Sequence, residues 1–384
     1  MKPLPAALAL AVATLAAPSS AQAAPQILTS NAAEEAALMP APPPAGAPPA
    51  WASQRAGELS LDQQVGQVLI GGFDGQQAPR FIRSALRTDR LSGVILFAAN
   101  VGSRSRLTAL TRSFRTASRG AALVSVDQEG GLVRRVPYAA PRIGQPQQGS
   151  AARVKRIARQ GGADLRRLGF NLNFAPVADV PSSPGADIYG RAFRGSTADI
   201  GRKVVAATQG YRAARVAASV KHFPGLGSAP RNTDDAAVVI TRSARALARV
   251  DLAPFRAAIA AKAPVLMVSH ARYSALDRRR LASQSPAILD RLLRRRLRYR
   301  GVVVTDALEA RAVLRATSVE RAAERSLLAG GDLLLLTRPA SYGPVFRRIR
   351  ARAKASPAAR ARLRESAARV LVLKRSLGLR VPAR

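Results

Sequence analysis

Short apolar runs recur along the chain, separated by longer stretches of mixed polarity. They fall at 67–72, 93–97, 122–126, 172–175, 218–222, 265–269, 301–305 and 332–336. Most are continuously apolar rather than alternating, as suits strands covered on both faces of a parallel sheet. Between them lie segments of helical period, such as 151–168 and 201–216. Alternating strand and helix units predict an α/β fold. About eight such units over the folded length predict a single (β/α)8 barrel of the TIM type, with a doubly wound sheet as the alternative. An apolar stripe of Val370, Leu371, Leu373 and Leu377, ended by Gly378, predicts a closing helix at the C-terminal end.

The first residues break this pattern. Lys2 is the only charge ahead of an apolar run from Leu4 to about Ala17, and Ala21-Gln22-Ala23 follows with small residues at the spacing signal peptidase accepts. The run is shorter than the ~20 residues a membrane-spanning helix needs. We therefore expect a signal peptide over 1–23, cleavage after Ala23, and a secreted or periplasmic product with no transmembrane anchor. Residues 24–51 are rich in Ala and Pro and read as an extended spacer, which leaves 52–384 for the barrel.

Composition narrows the chemistry. The 384 residues contain no cysteine, which excludes disulfides, thiolate metal sites and a cysteine nucleophile. Lys and Arg total 61 against 23 acids, a formal net charge of +38. Such an excess favours attraction to an anionic envelope, but the arginines are scattered and aromatics are only 4%, so no nucleic-acid partner is expected.

In a barrel the site forms at the C-terminal ends of the strands. Polar residues follow the runs there: Asp127 and Glu129 after the third, Asp179 after the fourth, Lys221 and His222 at the fifth, His270 after the sixth, Asp306 after the seventh. The chain has two histidines, and both lie in this set. Several carboxylates in one polar mouth suit glycosidic chemistry, which needs one carboxylate at the anomeric carbon and a proton donor at the leaving oxygen. Metal-dependent hydrolysis would call for more histidines or a His-Glu-x-x-His spacing, which does not occur, and no phosphate-binding loop motif is present. Neither a metal nor an organic cofactor is expected.

Several motifs together resemble glycoside hydrolase family three: Asp127-Gln-Glu-Gly-Gly-Leu-Val-Arg-Arg135, Asn173-Phe-Ala-Pro-Val-Ala-Asp179, Arg191-Ala-Phe, Lys221-His-Phe-Pro-Gly-Leu-Gly227, Ser283-Gln-Ser-Pro-Ala-Ile-Leu289 and Gly301-Val-Val-Val-Thr-Asp306. The resemblance runs from about Leu59 to Leu379. The chain ends soon after the barrel, as in the single-domain bacterial β-N-acetylglucosaminidases of that family. The resemblance implies a retaining exo-β-N-acetylhexosaminidase acting on a β-linked oligosaccharide or peptidoglycan fragment. A β-glucosidase of the same fold and a catalytically silent sugar-binding protein are the alternatives. It implies Asp306 as nucleophile, and Asp127, Arg135, Arg191, Lys221 and His222 as sugar-binding residues. His270 joins that set by position. Relatives carry Asp-Ser-His in the loop after the Lys-His-Phe-Pro-Gly motif, with the histidine as proton donor. This chain has Asn232-Thr233-Asp234 followed by Asp235, so Asp234 takes the donor position and Asp235 is the alternative. Gly225, Gly227 and Pro230 suggest a hinged flap around it.

Overall fold

The computed structural model describes residues 46–382. The expected signal peptide and most of the expected spacer lie outside the described residues. The first helix among the described residues, Ala50–Glu58, begins just ahead of the expected start of the barrel at 52.

Eight parallel strands form the barrel: β1 Leu69–Gly71, β2 Gly93–Leu96, β3 Leu123–Val126, β4 Leu172–Asn173, β5 Ala217–Phe223, β6 Val265–Val268, β7 Val302–Thr305 and β8 Leu334–Leu336. Each pairs with its sequence neighbour, and β8 pairs with β1. The ring closes between β7 and β8, where the Leu333 N–H donates to the Val303 carbonyl and the Thr305 N–H to the Leu333 carbonyl, both at 3.0 Å. All eight apolar runs thus become barrel strands. The first is shorter than its run, because Gln67 still belongs to the helix Leu61–Gln67.

The runs are continuously apolar because successive side chains enter two different cores. Ile70, Ile95, Leu123, Leu172, Val265, Met267, Val302, Val304, Leu333 and Leu335 fill the barrel interior, capped by Val370, Leu373 and Leu377 of the helix Pro357–Ser376. Leu69, Val94, Leu96, Val124, Leu266, Val268, Val303 and Leu334 point outward beneath the surrounding helices. This parity also builds the site. Counting by two from Leu123 reaches Asp127, from Ala217 it reaches Lys221, and from Val302 it reaches Asp306. The inward face is apolar at depth and charged at the C-terminal rim.

Serine starts many of the helices. Ser60, Ser103, Ser150, Ser196, Ser318 and Ser356 each accept a hydrogen bond from the backbone N–H three residues on. Such a cap contributes about 1 kcal/mol, and those at Ser103, Ser150, Ser196 and Ser318 start helices that follow barrel strands.

Candidate active site

The charged residues of the mouth form a connected set. After β3 the chain turns into a short hairpin, Gln128–Gly130 against Val133–Arg134. Lys221, on β5, donates to Asp127 Oδ1 at 2.5 Å and to Glu129 Oε1 at 2.7 Å. Arg191 grips the same Glu129 with both arms of its guanidinium, Nε to Oε2 at 3.0 Å and Nη2 to Oε1 at 2.7 Å. Two carboxylates and two cations therefore alternate in a balanced row, Asp127, Lys221, Glu129, Arg191. Burial by itself would raise the Glu129 carboxyl, but the Lys221 and Arg191 charges outweigh it and bring it down to about 2. Burial would lower the Lys221 ammonium, yet Asp127 and Glu129 raise it. Glu129 and Lys221 therefore both stay charged at neutral pH. Asp127 and Arg191 keep part of their surface toward solvent, 17% and 18% of the side chain, while Glu129 keeps 1%. Glu129 and Lys221, the latter at 3%, are thus the buried support, and Asp127 and Arg191 are what a ligand can reach.

His222 is oriented from behind. Its Nδ1 lies 2.7 Å from Asp179 Oδ2, so Nδ1–H donates and Nε2 is left for a ligand. Asp179 is fully buried; its Oδ1 also accepts from the His222 N–H at 3.3 Å and the Leu226 N–H at 2.6 Å. Arg135 follows the hairpin, half-buried, and its Nε has no partner among the described residues.

Asp306 ends β7. Its Oδ1 accepts from the Ala307 N–H at 2.8 Å. Burial pushes its carboxyl up, but the charges of His222, His270 and Lys221 together with that N–H hold it below the ordinary carboxylate value. Asp234 behaves in the opposite way. Burial, reinforced by the Asp306 charge, raises its carboxyl to about 6 against the pull of His222 and Arg191. Asp234 as a residue is nonetheless exposed to solvent. One mouth thus holds a carboxylate kept ionised and a carboxyl kept protonated in mildly acidic water, the pairing that divides the roles of nucleophile and acid.

The loop that carries Asp234 is packed rather than free. The Leu226 N–H is bound by Asp179. Gly225 adopts φ +130°, and a Cβ there would lie 2.7 Å from the Asp251 Cβ; a Cβ on Gly227 would lie 1.8 Å from the Val180 carbonyl oxygen. These glycines permit close backbone approach, which corrects the expectation of a hinge at both. Further on, Thr233 is buried, its carbonyl accepts from the Ala312 N–H at 3.1 Å, and the Asp234 carbonyl accepts from the Arg311 N–H at 3.0 Å.

His270 also departs from its expected place. It is fully buried, its Nδ1 is 2.8 Å from Ser283 Oγ, and its Nε2 is 3.0 Å from the Ala307 carbonyl oxygen. Both ring nitrogens are occupied by protein, so His270 supports the residue after Asp306 instead of facing a sugar. Asp127, Arg191, Lys221, His222, Asp306 and Asp234 all share the electrostatics of one site. Glu129 and Asp179 were visible as strand-end acids without an assigned role. The signal that could have singled out Glu129 is charge balance: Asp127 alone cannot neutralise both Lys221 and Arg191.

Comparison with known proteins places this geometry. Residues 60–373 match the glycosyl hydrolase family 3 N-terminal domain. A β-hexosaminidase of Stenotrophomonas maltophilia is 32% identical over 283 residues, covering 71% of this chain and 84% of that protein. The structure of a family 3 β-N-acetylglucosaminidase from Paenibacillus sp. superposes with a TM-score of 0.79 at 31% identity, over 85% of this chain and 64% of that one. A β-N-acetylhexosaminidase from Beutenbergia cavernae gives 0.76 at 32% identity, over 82% of this chain and 98% of its own.

Proposed function

Because the chain belongs to glycosyl hydrolase family 3, we propose that it is a retaining exo-β-N-acetylhexosaminidase that releases terminal N-acetylglucosamine from β-linked glycans. The observation that carries this reading is the opposed protonation of the two acids, Asp306 held ionised and Asp234 raised to about 6. Asp306 attacks the anomeric carbon while Asp234 gives its proton to the leaving oxygen. The bond to the leaving group breaks as the Asp306–sugar ester forms. Asp234, now ionised, takes a proton from water, which attacks the same carbon and frees Asp306. Asp127 accepts two sugar hydroxyls, with Arg135, Lys221, Arg191 and His222 Nε2 disposed around the ring. The β-hexosaminidases among its relatives support N-acetylglucosamine over glucose as the released sugar.

Turnover of nitrophenyl N-acetylglucosaminide measured beside nitrophenyl glucoside tests the sugar. The reading expects the first to be strongly preferred, and preference for the glucoside would replace it with a β-glucosidase. Asp306→Asn should abolish turnover, by at least ~10³-fold, while sugar binding survives. Equal rates for the two forms would remove Asp306 from the mechanism.

The natural substrate we propose is a peptidoglycan-type fragment met outside the cytoplasm. Export rests on the leader pattern of residues 1–23, and the +38 charge supports residence near an anionic envelope. A secreted product beginning at Ala24 is the expected result of N-terminal sequencing, and an intact Met1 would remove the export reading.

A further inference from the structure

The outer wall of the barrel carries a basic furrow that shares no residue with the charged set of the mouth. The helices Arg80–Arg87 and Arg104–Ala117 follow β1 and β2 and pack side by side. Together they carry seven arginines, Arg80, Arg83, Arg87, Arg104, Arg106, Arg112 and Arg115, and no acid. From Arg80 to Gly120 the single acid is Asp89, which is buried and already engaged by Arg380 at 3.0 Å and Arg119 at 3.6 Å. Arg104 lies over the Tyr138 ring. The other six form no ion pair among the described residues. Some arginines elsewhere on the wall are paired: Arg348 and Arg352 share Glu324, and Arg350 binds Asp62.

Two adjoining shallow depressions, open to solvent, make this surface a furrow. One, of about 550 Å³, is lined by Arg83, Arg87, Arg112 and Arg119. The next, of about 630 Å³, shares Arg112 and adds Arg104 with Ser103, Ser105 and Thr108. Arg104 and Arg112 stand roughly 12 Å apart along the helix axis, and Arg83 and Arg87 roughly 6 Å. Holding like charges this close without counter-charge is unfavourable, and an anion in the furrow relieves it.

We propose that the furrow is a docking surface for an extended, phosphate-bearing linear polymer that carries no bases. Guanidinium forks along a cleft match phosphate oxygens. The large apolar side chains exposed among the described residues are Leu132, Ile143, Val239, Leu314 and Leu328, none of them on these two helices, so the face does not suit insertion into lipid. Base stacking is also poorly served, since Phe114 is buried against Phe73 and Phe81 leans on Tyr342. The inference is independent of the glycosidase chemistry and concerns where the enzyme is held.

The test uses the full chain and long-chain inorganic polyphosphate as probe, with affinity measured across a salt series. The variant Arg83→Gln/Arg87→Gln/Arg112→Gln is compared with Arg278→Gln/Arg279→Gln/Arg280→Gln, which removes the same charge from the exposed strand Asp277–Leu281. The furrow variant should lose at least ~10-fold in affinity and flatten the slope of log affinity against log salt by about 2–3. The control should stay near wild type, and both should turn over the nitrophenyl substrate normally. Equal losses in the two variants would mean diffuse charge alone and overturn the site. No loss in the furrow variant would overturn it as well. Tighter furrow-dependent binding to single-stranded DNA or to anionic vesicles than to polyphosphate would overturn the polymer assignment.

Discussion

The Arg311 N–H donates to the Asp234 carbonyl at 3.0 Å, so the loop bearing the proposed acid is tied to the segment that follows the proposed nucleophile. The neighbouring bond from the Ala312 N–H to the Thr233 carbonyl doubles the tie. Arg311 is the first residue of the helix Arg311–Leu314, and Ala310 before it has ψ 142°. Both conditions suit proline at position 311, so Arg311→Pro can remove the N–H without breaking the helix. We expect Arg311→Pro to lower kcat by roughly 10–100-fold, as a displaced catalytic group does, with little change in Tm. Arg311→Ala keeps the N–H and should retain most activity. Similar losses in both variants would mean that the side chain matters and the backbone tie does not.

The opposed protonation of Asp234 and Asp306 sets the pH profile. Asp234 must be protonated to act as acid, so kcat/KM should fall as pH rises through about 6. Asp306 must be ionised, and its lowered carboxyl places the acidic limb below the ordinary carboxylate range. Asp234→Ala should erase the alkaline limb and slow poor leaving groups far more than dinitrophenolate, which needs no proton. Asp235→Ala should leave the limb in place. Loss of the limb in Asp235→Ala instead would move the acid by one residue.

Much of this site was legible in the sequence because barrel geometry fixes where strand-end residues point. Asp127, Lys221 and Asp306 continue the inward parity of β3, β5 and β7, so the runs that defined the strands also aimed the side chains. His270 was misplaced because strand position alone does not distinguish a ring facing the mouth from one turned toward Ser283 and the Ala307 carbonyl. The packed state of the Asp234 loop was hidden for a similar reason. Glycines read as hinges in sequence, and only the nearness of Val180 to Gly227 shows that this one serves close approach.

Glu129 is where electrostatics and stability meet. It is the shared counter-ion of Lys221 and Arg191, and it is ionised across the working range. Glu129→Gln leaves Lys221 with Asp127 alone and Arg191 without its ion-pair partner in a largely buried setting. Breaking such a pair costs about 3–5 kcal/mol, so Tm should fall clearly. The surviving enzyme should show a raised KM, because Lys221 and Arg191 lose their fixed positions, with a smaller change in kcat. An unchanged KM would mean that neither cation is positioned through Glu129.

Lys374 gives a prediction far from the mouth. It is buried in the closing helix Pro357–Ser376, and its Nζ donates to Gln67 Oε1 at 2.7 Å. Burial pushes its ammonium down to about 7, against a small pull from Asp89. An unfolded chain would hold that proton up to about 10.4. Between those values the unfolded state binds more protons, so stability should rise with pH from about 7 toward 10, by at most about 1.4 kcal/mol per unit from this group. Below about 7 the lysine is charged in both states, and its burial penalty is carried in full. Lys374→Met should therefore flatten the pH dependence of Tm in that window and raise Tm most below it, less whatever is lost by leaving Gln67 Oε1 unpaired. Urea titrations of both forms at pH 6 and pH 9 measure the difference. A stability gap that does not change between the two pH values would mean that Lys374 keeps its proton throughout.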